Sequence, residues 1–321
     1  MNEPIRIALA ADDNFAPYLA VTIASITQSA AKDDVHEFYI LDGGISSESQ
    51  KRLREIVLTP GSSLTFVSLA DTNLKEMPNI SYFSVNTFSR LFLPELLLHV
   101  DRILYIDCDL IVRCSLKSLW ETSLSNKSLG VIPETTDRGL DYDRYLEKLG
   151  KKFFYFNAGV LLINLKKVRE ENLFQKCLDF IRDNPEKLNY ADQDALNAVF
   201  DDDTVELPRR WNANPTQRGL RVLLRRKAEQ PDLSVEINEA LYDPAIVHYV
   251  TSSKPWMFMY MGRFKREYWS VLKTTPWAEY RSSDVSVVGA MKKPLIWLRD
   301  RLFWLATVVR IRLPFLARFK R

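Results

Sequence analysis

Residues 104–112 read LYIDCDLIV, an Asp-Cys-Asp triplet held between two apolar runs. A turn at the surface does not require apolar residues on both sides, but a buried strand ending at a binding site does. Alternate residues of an extended segment point the same way, so Asp107 and Asp109 can face one site. Two carboxylates held close in an apolar setting repel each other and lose hydration unless a cation compensates. A hard divalent metal with open coordination positions is the economical partner, and those positions suit diphosphate oxygens. The plain alternative is a pair of aspartates punctuating a turn, since a DxD is short and abundant.

Outward from this stretch the chain alternates between two periodicities. Short apolar runs at 5–11, 36–41, 64–69, 102–106, 129–133, 158–165 and 245–250 predict strands. Helical patterns cover 16–30, 47–58, 87–98, 166–183 and 190–200. The second of these opens on a Ser47-x-x-Gln50 capping box, and Pro94 interrupts the third. Strands alternating with helices predict an α/β fold with a mainly parallel sheet covered on both faces. In such sheets ligands sit beyond the carboxyl ends of the strands. Two strand ends carry carboxylates there, Asp12-Asp13 and Asp107-Cys108-Asp109.

Composition narrows the classes. Of 321 residues, 46% are apolar and 26% charged, as in ordinary folded proteins. No apolar h-region follows the start, so export through a signal peptide is not expected. Cys108, Cys114 and Cys177 lack CxxC spacing, which fits a reducing compartment and no structural zinc. The expected location is therefore cytoplasmic. GxGxxG, Walker A and HExxH patterns are absent, which removes dehydrogenase, P-loop and zinc protease readings.

The net charge of +3 hides an asymmetry: residues 289–321 hold nine bases and one acid, leaving 1–288 at −5. This divides the chain into a domain over 1–280 and a basic, aromatic helical tail over 281–321. Within the tail, Trp297, Phe303, Trp304, Phe315 and Phe319 lie among the bases. That composition suits peripheral attachment to an anionic membrane, here the inner face of the cell membrane. The body is acidic and carries no reader motif, so nucleic acid is not an expected partner. A second basic stretch at 208–232, with Arg209, Arg210, Arg218, Arg221, Arg225, Arg226 and Lys227, is read either as a solvated loop or as a lid facing an anionic acceptor. Of three histidines, His248 ends a predicted strand and precedes the polar loop Thr251–Lys254, where a lysine could meet phosphate. A hydrogen-bonded structural role is the alternative for it.

The set AADDN (10–14), SRLFLPELL (89–97), LYIDCDLIV (104–112), YFNAGVLLINLKK (155–167), YADQDALN (190–197) and HYVTSSKPW (248–256) resembles glycosyltransferase family 8. The bacterial lipopolysaccharide galactosyl- and glucosyltransferases are the nearest likeness. The resemblance implies a GT-A type, Rossmann-like nucleotide-binding domain that takes galactose or glucose from a UDP-hexose. It implies Mn²⁺, with Mg²⁺ as the alternative, held by Asp107, Asp109 and His248. Ala10, Asp12, Asn14 and Phe83 match positions around the uridine. Arg90, Asn157, Asp192 and Gln193 match positions around the donor sugar, with Cys108 alongside in the metal motif. Lys254 matches a diphosphate contact. Thr251 stands where relatives often carry glycine. The implied acceptor is a saccharide or glycolipid. A catalytically weak sugar-nucleotide-binding protein of the same fold is the rival expectation.

Overall fold

The computed structural model describes residues 3–57, 59–78, 85–134, 149–150, 154–216, 219–220, 223–224, 226–227, 230–282, 284–285, 298 and 302. Its frame is a seven-stranded sheet in the order β3-β2-β1-β4-β7-β6-β8. The strands are β1 (Ile5–Ala11), β2 (His36–Asp42), β3 (Ser63–Ser68), β4 (Arg102–Ile106), β6 (Leu129–Pro133), β7 (Phe156–Asn164) and β8 (Thr204–Glu206). Four neighbouring pairs are parallel, and β7 runs antiparallel to both β4 and β6. The expected α/β class with a mainly parallel, mixed sheet is what the chain adopts. A second, two-stranded sheet pairs β5 (Leu110–Val112) with β9 (Ile246–His248).

Period-two alternation sends side chains to two cores. Ile5, Ile7, Leu9 and Ala11 of β1 pack with Leu19, Ala20, Ile23 and Ile26 of α1 (Ala16–Ser29) on one face. Ala8 turns to the other face, where Phe174, Cys177 and Ile181 belong to the same cluster. Burying both faces is what makes the strands read as near-continuous apolar runs.

Helix α2 (Ser47–Arg54) follows the predicted capping region, with Ser46 as the capping side chain. The predicted helix at 87–98 is instead a 3-10 segment, Val85–Phe92, followed by the short α3 (Leu93–Leu96). Pro94 lies in the first turn of α3, where its missing N–H costs nothing, so it starts a helix rather than interrupting one. After α4 (Lys117–Trp120) and β7, the long helix predicted at 166–183 divides into α5 (Leu165–Glu170) and α6 (Leu173–Asp183). The break is at Asn172, left-handed at φ 53°, a conformation asparagine tolerates better than most residues.

Next comes α7 (Asp192–Val199). Strand β8 and two helices, α8 (Ser234–Tyr242) and α9 (Lys265–Leu272), were not anticipated. Strand β8 is three residues long and partly exposed, too short for a periodic signal. Helix α8 buries Ile237, Ala240 and Leu241, a helical spacing that the sequence reading passed over. Most of the basic tail over 281–321 lies outside the described residues. Among the described residues, no helix is long and apolar enough to cross a membrane.

Candidate active site

The Asp-Cys-Asp triplet occupies the junction where the chain leaves the large sheet through β4 and enters the small one through β5. The junction is held by backbone bonds on both sides. Asp107 N donates to Gly159 O at 2.9 Å, and Tyr249 N donates to Asp109 O at 3.0 Å. In the small sheet Leu110 lies opposite His248, so antiparallel pairing carries the distant histidine to the aspartates. His248 Nε2 comes within 3.0 Å of Asp109 Oδ1 and 3.8 Å of Asp107 Oδ2. One ligand atom from each of the three residues lies within 4.8 Å of the others.

The opposite wall is an irregularity in β7. Val131 pairs with Leu161 but Ile132 pairs with Asn157, so residues 158–160 bulge out of the β6–β7 ladder. Bulges of this kind re-aim groups beside functional sites. Here the extra residues bring Gly159 against the imidazole: a Cβ on it would stand 2.2 Å from His248 Cε1 and 2.8 Å from Asp107 Oδ2. The absent side chain leaves room for the histidine to share a site with the two carboxylates. Two carboxylates and an imidazole form a donor set suited to a first-row divalent ion such as Mn²⁺, and the nitrogen donor makes it less suited to Mg²⁺.

Charge is compensated tightly. Arg90 is buried and bridges Asp192 at 2.7 Å and Asp107 at 3.2 Å. Its guanidinium also lies 4.2 Å from the centre of the Tyr105 ring and donates to Ala158 O. Burial lifts the Asp192 carboxyl to about 7, with Arg90 opposing and Asp107 adding to the rise. Burial also pushes Asp109 up, but Lys254 and His248 more than offset it and hold that carboxyl below its ordinary range. Lys254 Nζ pairs with Asp109 and donates to Tyr249 O at 2.6 Å. The Cys108 Sγ donates to Ala10 O at 3.0 Å, and burial pushes its thiol well up. Its side chain is a packing group of the strand end.

These residues line a cleft of about 400 Å³. Ala10, Asp12, Arg90, Asp107, Cys108, Asp109, Asn157, Asp192, Gln193, His248, Thr251 and Lys254 all reach it. Asn14 is exposed on the 3-10 turn after Asp12 and is not among its lining residues. Phe83 lies outside the described residues. Asp192 and Gln193 begin α7 directly after Ala191, whose backbone is at φ 52° and ψ −126°. A non-glycine residue held there stores strain, and the turn delivers both side chains to the cleft. Gln193 is fixed by the protein itself: Oε1 accepts from Ala158 N at 3.0 Å and Nε2 donates to the Tyr155 hydroxyl at 3.0 Å.

The sequence reading missed four contributors. Gly159 falls within the strand predicted at 158–165, and glycine in an apolar strand marks close approach of another group. Phe15, 43% exposed, offers an apolar ring on the cleft wall beside Asp12. Asn212 and Glu134 are buried and hydrogen-bonded into the site from outside the cleft lining. No local spacing distinguishes those two from ordinary polar residues.

The basic stretch at 208–232 is partly structural. Arg209 is buried and pairs with Glu236 at 2.8 Å and Glu206 at 3.1 Å. Arg210 lies 3.9 Å from Glu239 and 3.7 Å from Asp243, and Lys227 donates to Asn238 at 2.8 Å. These bases hold the turn after β8, Arg209–Asn212, and the chain at Lys227 against α8, so they are not free to face an acceptor. Arg218, Arg221 and Arg225 lie outside the described residues.

Comparison with known proteins gives the family and the fold. The family model of glycosyl transferase family 8 matches residues 6–259. General stress protein A of Bacillus subtilis is 29% identical over 282 residues, covering 86% of this chain and 96% of its own. A lipopolysaccharide 1,2-glucosyltransferase of Escherichia coli K12 is 24% identical, over 91% of this chain and 84% of its own. Among solved structures, galactosyltransferase LgtC in complex with donor and acceptor sugar analogues superposes with a TM-score of 0.74. It is 29% identical, covering 85% of this chain and 96% of that one. The fold is the GT-A fold that LgtC has.

Proposed function

We propose, for a chain that belongs to glycosyl transferase family 8, the retaining transfer of galactose or glucose from a UDP-sugar to a saccharide acceptor, with Mn²⁺ as the metal. The observation that carries this reading is the meeting of Asp107, Asp109 and His248 ligand atoms within 4.8 Å, in a cleft also lined by Arg90, Asp192, Gln193 and Lys254. Related proteins named as a lipopolysaccharide glucosyltransferase and a galactosyltransferase favour a hexose donor and a lipopolysaccharide core or similar cell-surface glycan as acceptor.

Asp107, Asp109 and His248 would hold Mn²⁺, which when bound supplies Lewis-acid stabilisation of the diphosphate leaving group. Lys254 and the backbone N–H groups of its loop, including that of Thr251, add fixed positive charge for the same oxygens. Asp12 and the Phe15 ring offer a polar and an apolar contact for the uridine. Arg90, with Asp192, holds sugar hydroxyls, and Asn157 and Gln193 orient the ring.

Retention follows from front-side attack. Gln193 is a neutral amide with both polar atoms already engaged, a poor nucleophile compared with the carboxylate of retaining glycosidases. The bond from the anomeric carbon to the diphosphate oxygen breaks and its electrons remain on the diphosphate. The acceptor hydroxyl oxygen bonds to that carbon from the same face, and its proton passes to the departing diphosphate.

The division at residue 280 and the tail's attachment to the inner face of the cell membrane belong to the same proposal. Truncation after residue 288 is expected to release the protein from anionic vesicles and spare UDP-sugar hydrolysis. The test of the main reading is a screen of UDP-sugars for Mn²⁺-dependent hydrolysis, comparing wild type with Asp109→Ala. Turnover of a UDP-hexose that Asp109→Ala abolishes is the expected result. UDP-sugar binding with no turnover would identify a binding protein of this fold instead.

A further inference from the structure

We infer that Glu134, Asn157 and Asn212 form a one-way hydrogen-bond relay that dictates which nitrogen of His248 carries the proton, making Asn212 a positioning residue for the cation site. The inference rests on the proposed metal-binding role of Asp107, Asp109 and His248.

The direction of the relay follows from one backbone group. Gly159 N can only donate, and it meets the Asn157 amide at 2.9 Å, so the atom it meets is the oxygen Oδ1. The same oxygen is 2.9 Å from the Asn212 amide. The Asn212 atom there must donate and is Nδ2, which turns Asn212 Oδ1 toward His248 Nδ1 at 2.8 Å. An amide oxygen only accepts, so Nδ1 bears the hydrogen. The Nε2 lone pair is then left for the side of the ring that faces Asp109 and Asp107. At the far end Asn157 Nδ2 donates to Glu134 Oε2 at 3.1 Å, and a carboxylate there accepts only, which blocks an amide flip.

The relay is rigid. Glu134, Asn157, Asn212 and His248 are all buried. The backbone ties Asn212 to the histidine strand as well: its neighbour Ala213 donates to Ile246 O and accepts from His248 N, both at 2.9 Å. An imidazole ligand whose far nitrogen is held this way needs no reorientation when the ion arrives. Loss of such an outer partner typically weakens metal binding by about 10–100-fold.

The experiment titrates the full-length protein with Mn²⁺ alone, reading free Mn²⁺ by electron paramagnetic resonance. It compares wild type, Asp109→Ala, Asn212→Leu and Asn212→Asp, with circular dichroism reporting the fold of each without metal. Asn212→Leu keeps the volume and removes the acceptor, and is expected to weaken binding by about 10–100-fold. Asn212→Asp keeps an acceptor for Nδ1–H but sets a carboxylate oxygen against Asn157 Oδ1 in place of the donor, and is expected to bind Mn²⁺ more tightly than Asn212→Leu, since a carboxylate raises ligand basicity. A folded Asn212→Leu that binds Mn²⁺ like wild type, while Asp109→Ala does not, overturns the relay alone. Should Asn212→Leu fail to fold, imidazole nitrogen-15 shifts of the metal-free wild type that place the His248 hydrogen on Nε2 and not on Nδ1 overturn it. Absence of Mn²⁺ binding by wild type overturns the relay and the metal site together.

Discussion

Gly159 and His248 stand so close that one methyl group on the glycine would lie 2.2 Å from the imidazole carbon Cε1 and 2.7 Å from Nδ1. The glycine is required for this contact and not for its backbone angle, because it is absent from the residues with positive φ. Gly159→Ala is therefore expected to push the imidazole out of place. Overpacking of this kind costs about 1–3 kcal/mol, so a lower melting midpoint and weakened Mn²⁺ binding should appear together. Thermal melts with and without Mn²⁺ check this, and an alanine variant that binds the ion normally would refute it.

Metal binding should be legible as stability. An ion that binds only the folded chain, supplied at about 100 times its Kd, adds about 2.7 kcal/mol. For a domain of about 280 residues, with an unfolding entropy of about 0.6 kcal/mol/K, that corresponds to a rise in melting midpoint of roughly 4–5 °C. The rise is expected to vanish in Asp109→Asn and to be reversed by EDTA in wild type. Scanning calorimetry gives the answer directly.

Asp192 should make the protein less stable as pH rises. Its carboxyl has an ordinary value of 3.8 and is lifted to about 7 by burial, against the opposing Arg90. The folded state thus holds this proton more tightly than the unfolded chain does. The group's contribution is fully present below about pH 4 and is lost as pH climbs through about 7. Urea unfolding of wild type and Asp192→Asn between these limits should show the variant gaining on wild type with rising pH. Parallel curves would contradict the assignment.

His36 should act in the opposite direction. It is fully buried on β2, neither ring nitrogen has a hydrogen-bond partner among the described residues, and burial pulls it below its ordinary 6.5. A depressed folded value means its stabilising contribution is present above pH 6.5 and is lost as pH falls. His36→Phe, placed beside Phe38, is expected to remove part of the acid sensitivity. Unfolding midpoints between pH 7 and pH 5 measure it, and an unchanged slope would count against the argument.

Much of this architecture was readable in advance because its signals are local. Every strand expected from an apolar run exists, with boundaries unchanged or shifted by one or two residues, and both carboxylates of the Asp-Cys-Asp triplet line the cleft while the Cys108 thiol donates to Ala10 O of β1. The misses have physical causes. The 87–98 pattern has helical periodicity, but its first residues tighten into a 3-10 turn. Arg209 looks like surface charge in sequence and is buried because Glu236 and Glu206 arrive from other elements to pair with it.

The sequence by itself determined the alternation of strands and helices, the position of the carboxylates at a strand end and the family resemblance. All three depend on residues adjacent or nearly adjacent in the chain. Only the tertiary structure decided that the bulge in β7 brings Gly159 under the imidazole, that β9 pairs with β5 to carry His248 to Asp109, and that Asn212 orients the ring. Each of these joins segments separated by dozens of residues through hydrogen bonds whose direction depends on three-dimensional placement, which no local periodicity encodes.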